Sequence, residues 1–235
     1  MLGLRKLANG LRYLPCHPQW LLRPERPVDA VTDLEGKVLD VGCADRWAER
    51  HCSASATYMA LDFPLTGRSL YAAKPDVFAD AAALPLGAGS IDAILCFEVL
   101  EHLRDPNAAL AEFSRVLRPH GTLLLSVPFL YPIHDEPFDF QRLTEYGLRR
   151  DLAVAGFEVV TLRKTGHAVR VGGLLLSLAM VGGIYQRRQW FDYARIPLAI
   201  IGVLCINLLA MVFAWIIPDW NALGSGYEVL AKRRQ

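Results

Sequence analysis

The sequence predicts an α/β protein with a doubly wound, mostly parallel sheet of seven strands and a hydrophobic helical hairpin inserted before the last strand. Three observations support this fold. Short apolar runs alternate along the chain with segments of helical periodicity. The runs are apolar on both sides, which is typical of strands covered by helices on both faces. Near the C-terminus, 22 uncharged residues precede a segment that alternates like a strand.

The first six strands are predicted from six apolar runs, with two clear helices between and after them. Asn107 to Leu117 has an apolar face at helical spacing, and Leu143 to Ala155 reads as a further helix closed by Gly156. The predicted strands are Lys37–Val41, Thr57–Leu61, Asp76–Ala79, Ile91–Phe97, Thr122–Val127 and Phe157–Leu162.

Charge and cysteine content exclude several classes of function. The 25 basic and 24 acidic residues nearly cancel, so we expect no nucleic-acid partner. The five cysteines are scattered, and no CxxC pair or Cys/His cluster has metal-site spacing, so no metal is expected. Cys43 and Cys96 lie in apolar runs, as buried reduced thiols of a cytoplasmic domain do. The N-terminus has no continuous apolar core or cleavage site, so no signal peptide is expected.

Acidic residues follow three successive predicted strands. In an open parallel sheet, ligands bind at the carboxyl ends of the strands. Asp40 closes the first strand, and Gly42 lets the backbone approach a ligand closely. Asp62 ends the second strand and can accept two hydroxyl hydrogen bonds from a ribose diol. Asp80 follows the third and can accept a bond from an exocyclic amine. The three acids predict a site shaped for adenosine.

These residues lie in a region that resembles the class I S-adenosylmethionine-dependent methyltransferases of the small bacterial type. The resemblance covers about Gly36 to Leu162 and is carried by "VLDVGCADR", "LDFP" and "LAVAGFEVV". Its most specific part is "DAAALPLGAGSIDAILCFEVLEHLRDPNAALAEFSRVLRPHGTLLLSVP", where acid-x-x-x-Leu-Pro, a strand, EVLEHL, a helix and RVLRPHG follow in order. No G-x-G-x-x-G follows the first strand, which disfavours a nicotinamide-dependent enzyme.

The resemblance implies S-adenosylmethionine as the cofactor and assigns eight residues to it. By that resemblance Asp40 and Gly42 border the methionine part, Asp62 holds the ribose and Asp80 contacts the adenine. The other four assigned residues are Phe97 and Glu98, which line the cleft, and Cys43 and Ala81. The family's first loop usually reads Asp-x-Gly-x-Gly-x-Gly, but here Ala44 and Arg46 replace two glycines. Ala44 is expected to cost little if its φ is negative, and Arg46 requires a loop that turns its side chain outward.

The loop Pro128–Thr144 leaves the fifth strand and is expected to overhang the methyl group. Methyl transfer requires the acceptor to lose a proton, and a histidine titrates in the right range to take it. His134 of this loop is the candidate base, and His102 of EVLEHL is a second, weaker candidate. The alternative is that His134 and Arg142 only hold the loop to the domain.

The C-terminal segment Tyr227–Lys232 is predicted to be the seventh strand, antiparallel beside the fifth and sixth. The apolar module at 170–223 is then an insertion into a domain formed by residues 31–169 and 224–235. Both its ends return to one side of a membrane, so its two segments, Val171–Tyr185 and Ile196–Ile217, cross an even number of times.

A hairpin dipping into one leaflet fits this constraint best, because arginines in the connection would otherwise face outward, against the positive-inside tendency. Its aromatic residues are expected near the headgroups: Trp190, Tyr193, Trp215 and Trp220. A soluble dimer that buries the same faces is the alternative. The segment 1–30 carries Leu4, Leu7, Leu11 and Leu14 at helical spacing, as an amphipathic helix that covers the domain or lies on a membrane.

The expected function is S-adenosylmethionine-dependent methyl transfer at the cytoplasmic face of the cell membrane. The expected acceptor is a lipid or a lipid-linked sugar, because a cofactor site and an apolar insertion occur in one chain. Two alternatives stay open: a methyltransferase for a soluble sugar or small molecule, and a non-catalytic membrane-bound scaffold that keeps the fold. The acceptor atom and the oligomeric state do not follow from the sequence.

Overall fold

The computed structural model describes residues 11–22, 28–71, 73–187 and 194–235, which form two compact units. The sheet unit comprises the described residues of 26–129, 133–163 and 226–235. The hairpin unit comprises those of 1–25, 130–132 and 164–225. Of the predicted N-terminal segment 1–30, residues 11–22 therefore belong to the hairpin unit and residues 28–30 to the sheet unit. Leu4 and Leu7 lie outside the described residues.

The seven strands form one sheet in the order β3-β2-β1-β4-β5-β7-β6. The first five pair in parallel, and β7 runs antiparallel to β5. The order reverses between β1 and β4, which is where a ligand crevice forms in such a sheet. The strands are β1 (Gly36–Val41), β2 (Ala56–Asp62), β3 (Val77–Phe78), β4 (Ile91–Phe97), β5 (Leu117–Pro128), β6 (Phe157–Thr165) and β7 (Gly226–Arg233).

The helices of the sheet unit begin at side chains that cap them. In α2 (Pro106–Val116) the Asp105 carboxylate accepts the Ala108 N–H at 3.0 Å, and in α3 (Glu145–Val154) the Thr144 hydroxyl accepts the Gly147 N–H at 3.1 Å. A short helix, α1 (Val28–Thr32), precedes the sheet, and helical turns lie at Ala48–Arg50, Pro64–Thr66, Gly67–Tyr71 and Leu100–His102.

Both faces of the sheet are buried, which confirms the doubly wound α/β prediction. Neighbouring residues of one strand enter different clusters, because successive side chains of a strand point to opposite faces. Leu123 and Leu125 pack in the larger cluster with Phe113 of α2, whereas Leu124 packs in the smaller one with Val31 of α1. The large cluster also takes in α3.

The last strand has the predicted place and direction. β7 lies between β5 and β6 and pairs with β5 from Thr122–Lys232 to Pro128–Gly226. Tyr227, Val229 and Ala231 of β7 are buried. Strand β5 begins five residues before the predicted Thr122, because pairing of Leu117 with Ile91 extends the ladder with β4.

The hairpin unit consists of two long helices and an N-terminal turn, Trp20–Leu22. Helix α4 spans Ala168–Arg187, and α5 spans Ile196–Ile216. At 20 and 21 residues they are about 30 and 32 Å long. Helix α4 begins before the predicted Val171, because the Ala168 N–H donates to the Asp219 carboxylate at 2.8 Å. The helix is therefore longer than the predicted segment Val171–Tyr185.

A buried amide joins the three parts of the hairpin unit. Asn207 of α5 is 0% exposed, and its Oδ1 accepts the Ser177 hydroxyl of α4 at 3.1 Å. Its Nδ2 donates to the carbonyls of Pro15 and His17 at 2.6 and 3.0 Å. This set of bonds sets the register of the helices, since a shift of either helix would leave buried polar groups unpaired.

The other sides of α5 are apolar and exposed. Among the described helices, α5 alone is both long and apolar enough to cross a membrane, and α4 holds a shorter apolar stretch, Ala168–Ile184. Trp190 and Tyr193, two of the predicted headgroup aromatics, and Arg188 lie outside the described residues. Exposed large apolar residues of α5 and the residues after it are Leu198, Ile200, Ile201, Leu208, Leu209, Val212, Phe213, Trp215, Ile216, Ile217 and Trp220.

Candidate cofactor site

A cavity of about 630 Å³ opens at the carboxyl ends of β1, β2 and β4. It lies where the strand order reverses, as expected for a ligand crevice. Seven of the eight residues assigned to the cofactor from the sequence line it: Asp40, Gly42, Asp62, Asp80, Ala81, Phe97 and Glu98. The eighth, Cys43, is a buried thiol whose sulfur lies 3.9 Å from the Asp62 carboxylate.

Asp62 is held rigidly at the end of β2. It is 5% exposed, and its two oxygens accept the N–H groups of Ala44 at 3.0 Å and Phe63 at 2.8 Å. Burial raises the pKa of Asp62, and those two hydrogen bonds oppose the rise. Two backbone donors use about half of a carboxylate's acceptor capacity, so the group can still accept a diol. This fits the predicted ribose contact.

Gly42 occupies a position that no other residue fits without strain. Its φ is 77°, and a Cβ there would lie 2.3 Å from Cγ2 of Val99. Its N–H donates to the Leu61 carbonyl at 2.8 Å, which ties the turn after β1 to the end of β2. A ligand can therefore come close to the backbone at this turn.

Asp40 lies at the end of β1, only 3% exposed, and accepts a hydrogen bond from the Tyr58 hydroxyl. Burial raises its pKa to about 6; the Tyr58 bond opposes this, and the negative charge of Asp62 adds to it. The carboxylate is therefore poised to ionise near neutral pH, and a cation bound beside it would favour ionisation.

The charge of the cavity suits a cationic ligand. The positively charged sulfonium group of S-adenosylmethionine is such a cation, and a cleft lined by one sign of charge attracts the opposite sign. The described lining residues include Arg104 together with seven carboxylates: Asp40, Asp45, Asp62, Asp80, Glu98, Asp105 and Asp135. The cavity also has apolar walls, which include Phe63, Ala81 and Phe97.

The first loop keeps its shape without two of the usual glycines. Ala44 has a φ of 42°, so the expectation that it costs little at negative φ does not apply, and Arg46 has a φ of 57°. Left-handed backbone costs a residue with a Cβ roughly 1–2 kcal/mol. The Arg46 side chain turns away to bond Glu49 at 2.8 Å and Asp76 at 2.9 Å, which offsets part of that cost.

The two candidate bases lie side by side. The rings of His102 and His134 meet edge to face, 4.9 Å between centroids, and His102 also lines the cavity. His134 Nδ1 is 3.1 Å from Asp139, whose other oxygen accepts from Arg142 at 2.5 Å. Burial opposes ionisation of Asp139, but bonds from Arg142 and the His134 N–H outweigh it and hold the pKa at about 2. His134 is thus held in place by Asp139, which is compatible with both of its expected roles: a general base, or a residue that only holds the loop to the domain.

Two partners of the site were not singled out from the sequence. Tyr58, on β2, holds Asp40, and Glu101, next to His102, lies buried beside the histidine pair. Glu101 stands inside the quoted EVLEHL motif, so its position next to a candidate base was available as a signal. Tyr58 offered none, because a tyrosine in a strand is ordinary.

Comparison with known proteins shows which family this domain belongs to. Residues 20–162 match the family model described as "Methyltransferase domain". The chain is 34% identical over 133 residues to a Mycolicibacterium smegmatis protein named "Probable S-adenosylmethionine-dependent methyltransferase", covering 52% of each chain. It is 35% identical over 126 residues to a ubiquinone biosynthesis O-methyltransferase of Xanthomonas oryzae, covering 48% of this chain and 52% of the relative. The chain thus spans about half the length of these curated relatives.

A solved structure shares the fold. The phosphoethanolamine N-methyltransferase 2 of Haemonchus contortus, in complex with S-adenosyl-L-methionine, superimposes with a TM-score of 0.54 at 14% identity. The match covers 98% of this chain and 60% of that one. The sequence resemblance, the cofactor and the enzyme class are confirmed for this domain: the chain belongs to the methyltransferase-domain family, among S-adenosylmethionine-dependent methyltransferases.

Proposed function

We propose that the protein transfers the methyl group of S-adenosylmethionine to a lipid or a lipid-linked sugar at the cytoplasmic face of the cell membrane. One observation carries the proposal: the chain leaves the methyltransferase sheet after β6, forms an apolar two-helix hairpin and returns as β7. A soluble acceptor would not require such an insertion.

The residues of the cavity have separate roles in this proposal. The cofactor supplies an electrophilic methyl group when it is bound. Asp62 accepts the ribose hydroxyls, Asp80 contacts the adenine, and Asp40 with Gly42 borders the methionine part. The carboxylates orient and neutralise a cationic ligand. The acceptor enters beside His102, where the histidine pair can take up or direct its proton.

The hairpin provides the membrane attachment. Its exposed side chains include Leu, Ile, Val, Phe and Trp. Moving them from water into lipid is favourable by about 25 cal/mol per Å² of apolar surface. Both helices are long enough to span, but Arg187, Arg188 and Arg195 flank the connection between them. Placing those arginines outside opposes the positive-inside tendency, so we propose a hairpin inserted into the cytoplasmic leaflet.

The name of one relative points in the same direction. The Xanthomonas relative is named for ubiquinone biosynthesis, and ubiquinone is a membrane lipid. An apolar acceptor held in the bilayer would meet an enzyme that is held there too.

Methyl transfer can be tested on the full-length protein with radiolabelled S-adenosylmethionine. We expect label in a total membrane-lipid extract and none in a soluble glycan fraction. Label only in soluble glycans would assign the soluble-acceptor alternative. Calorimetric titration with S-adenosylmethionine that gives no binding would leave the scaffold alternative.

Membrane attachment can be tested separately by flotation with anionic phospholipid vesicles. Val212→Glu, on the exposed side of α5, should weaken binding by up to about 2.5–3.5 kcal/mol, the cost of a charge in the hydrocarbon core. Val154→Glu, on an exposed position of α3, is the matched control and should bind like the unchanged protein. If the protein does not float with vesicles and sediments as a soluble dimer, the membrane proposal is wrong and the apolar faces are covered by a second copy of the chain.

A further inference from the structure

A buried carboxyl group lies next to His102 but is not among the residues that line the cavity. Glu101 lies in the turn Leu100–His102 after β4 and is 2% exposed. Neither of its oxygens accepts a hydrogen bond from another described residue. An unpaired buried carboxylate costs several kcal/mol, which a bound cation would offset.

The charges around Glu101 also favour a cation. The charged groups that act on it are Glu98, Asp139 and Arg142. Arg142 donates to both oxygens of Asp139, at 2.5 and 2.7 Å. Three carboxyl groups therefore lie near one guanidinium in a poorly solvated region. Burial, and after it the charge of Glu98, raise the pKa of Glu101 well above its usual value, and a bound cation would favour its ionised form.

Two histidines are oriented toward this carboxylate by bonds on their far side. His102 Nδ1 lies 2.9 Å from the Phe138 carbonyl oxygen, so it carries the proton and donates it. The lone pair is then on Nε2, which lies 3.6 Å from Glu101 Oε1. His134 Nδ1 lies 3.1 Å from Asp139 Oδ2, which sets the same tautomer. Histidine ligands of metals are typically held in this way by a carbonyl or a carboxylate.

The three side chains are close enough to share one ion. One ligand atom from each of Glu101, His102 and His134 lies within 4.8 Å of the others. Metal–ligand distances of about 2.0–2.2 Å place ligand atoms about 3.0–3.5 Å apart, so side-chain movements of about 1 Å would close the site.

We propose that Glu101, His102 and His134 bind one divalent transition-metal cation, such as Mn²⁺, Fe²⁺, Co²⁺ or Zn²⁺. Two imidazoles and one carboxylate suit these ions, and three protein ligands leave coordination positions open. The sequence predicted no metal because its ligands stand on two loops that only the fold brings together. Since His102 also lines the cavity, an open position can accept a hydroxyl oxygen of the acceptor; this last step rests on the proposed function.

The proposal can be tested by metal binding to the full-length protein, independently of activity. The protein is stripped with a chelator and titrated with Co²⁺, whose visible absorption reports N/O ligation. One Co²⁺ per chain is expected. Glu101→Gln, His102→Ala and His134→Ala should each weaken Co²⁺ binding at least about 100-fold, beyond the 10–100-fold typical of outer-shell partners. His120→Asn, an exposed histidine of β5 with a φ of 63°, is the control and should bind like the unchanged protein.

Glu101→Gln keeps the shape of the side chain, so its thermal melt checks that the fold is intact. Absence of Co²⁺ binding up to millimolar concentration would overturn the proposal, as would unchanged affinity in folded Glu101→Gln. S-Adenosylmethionine titration of the same samples separates the two proposals. Cofactor binding without metal binding would remove only the metal site, whereas loss of cofactor binding would remove the methyltransferase function.

Discussion

Buried side chains of the sheet unit and the hairpin unit differ in their hydrogen bonding, and Glu101 and Asn207 show the contrast. In the sheet unit, Asp40 is buried at the cavity and Glu101 has no described hydrogen-bond donor. The described non-glycine residues with positive φ also all lie there: Ala44, Arg46, Glu98, His120 and Asp135. In the hairpin unit, both ends of the buried Asn207 amide are satisfied. Three of these strained residues, Ala44, Glu98 and Asp135, line the cavity, as is typical of strain kept at a ligand site, whereas the amide that sets the register of the hairpin helices is fully hydrogen-bonded.

The largest expected effect comes from removing the last strand of the sheet unit, and removing the hairpin helices should have a much smaller one. Ending the chain at Asp219 removes β7 from between β5 and β6, which leaves β6 without a neighbouring strand, one edge of β5 unpaired and a buried face without cover. We expect loss of the cooperative thermal transition. Replacing 170–218 by a short Gly/Ser loop should instead leave a folded, cofactor-binding domain, since surface excursions cost little to remove. Equal stability of the two proteins would show that 226–233 is dispensable.

The second effect concerns the histidine pair of the sheet unit. His134→Ala should lower turnover by about 10²–10⁴-fold and leave S-adenosylmethionine affinity unchanged, because the change acts on the acceptor side. The metal content of the variant separates two causes of lost turnover. If His134 is the base, the metal content stays unchanged; if His134 is a metal ligand, the metal is lost as well. If turnover survives the change, His134 only holds the loop to the domain.

The third effect tests the ribose contact at the carboxyl end of β2. Asp62→Ala should weaken S-adenosylmethionine binding by roughly 1.5–3 kcal/mol, because hydrogen bonds to a charged acceptor are lost. Asp33→Ala, an exposed aspartate of the sheet unit, is the control. Calorimetry that returns the same dissociation constant for both variants would remove the ribose assignment.

The fourth effect tests close packing in the hairpin unit with neighbouring glycines. A Cβ at Gly173 would lie 2.7 Å from the Ala210 Cβ, whereas one at Gly172 would meet no described atom within 4 Å. Gly173→Leu should therefore cost about 1–3 kcal/mol by overpacking the helices, and Gly172→Leu should not. Hydrogen exchange of the α5 amides would report the difference, and equal protection in both variants would contradict it.

The smallest expected effect is the pH dependence of stability that comes from Asp40, a buried carboxyl of the sheet unit. Asp40 has a pKa of about 6 in the folded protein, above the usual 3.8, so the folded state binds its proton more tightly than the unfolded chain does. Stability contributed by this residue therefore falls as pH rises from about 4 to 6 and is constant above. Asp40→Asn should gain about 1–2 kcal/mol over the unchanged protein across that window, by urea unfolding at pH 4.5 and 7. If the difference in free energy of unfolding between the two proteins is the same at pH 4.5 and pH 7, the raised pKa of Asp40 is contradicted.

The grouping of the three acids at one cavity was predictable because each of them follows a strand. Asp40, Asp62 and Asp80 each stand at the end of an apolar run, and parallel strands bring their carboxyl ends to one edge. The acceptor half was less predictable. His134 and Glu101 stand on different loops, and only the course of the loop after β5 brings them together.

The amino-acid sequence by itself determined the sheet, the place of its last strand and the cofactor acids, because period-2 and period-3.6 patterns and strand-end residues are local signals. The tertiary structure decided three other features. It placed Ala44 and Arg46 at positive φ, because the turn after β1 must meet Asp62. It extended α4 back to Ala168 through Asp219, and it brought Glu101, His102 and His134 together. Each depends on contacts between residues far apart in the chain, which no local pattern records.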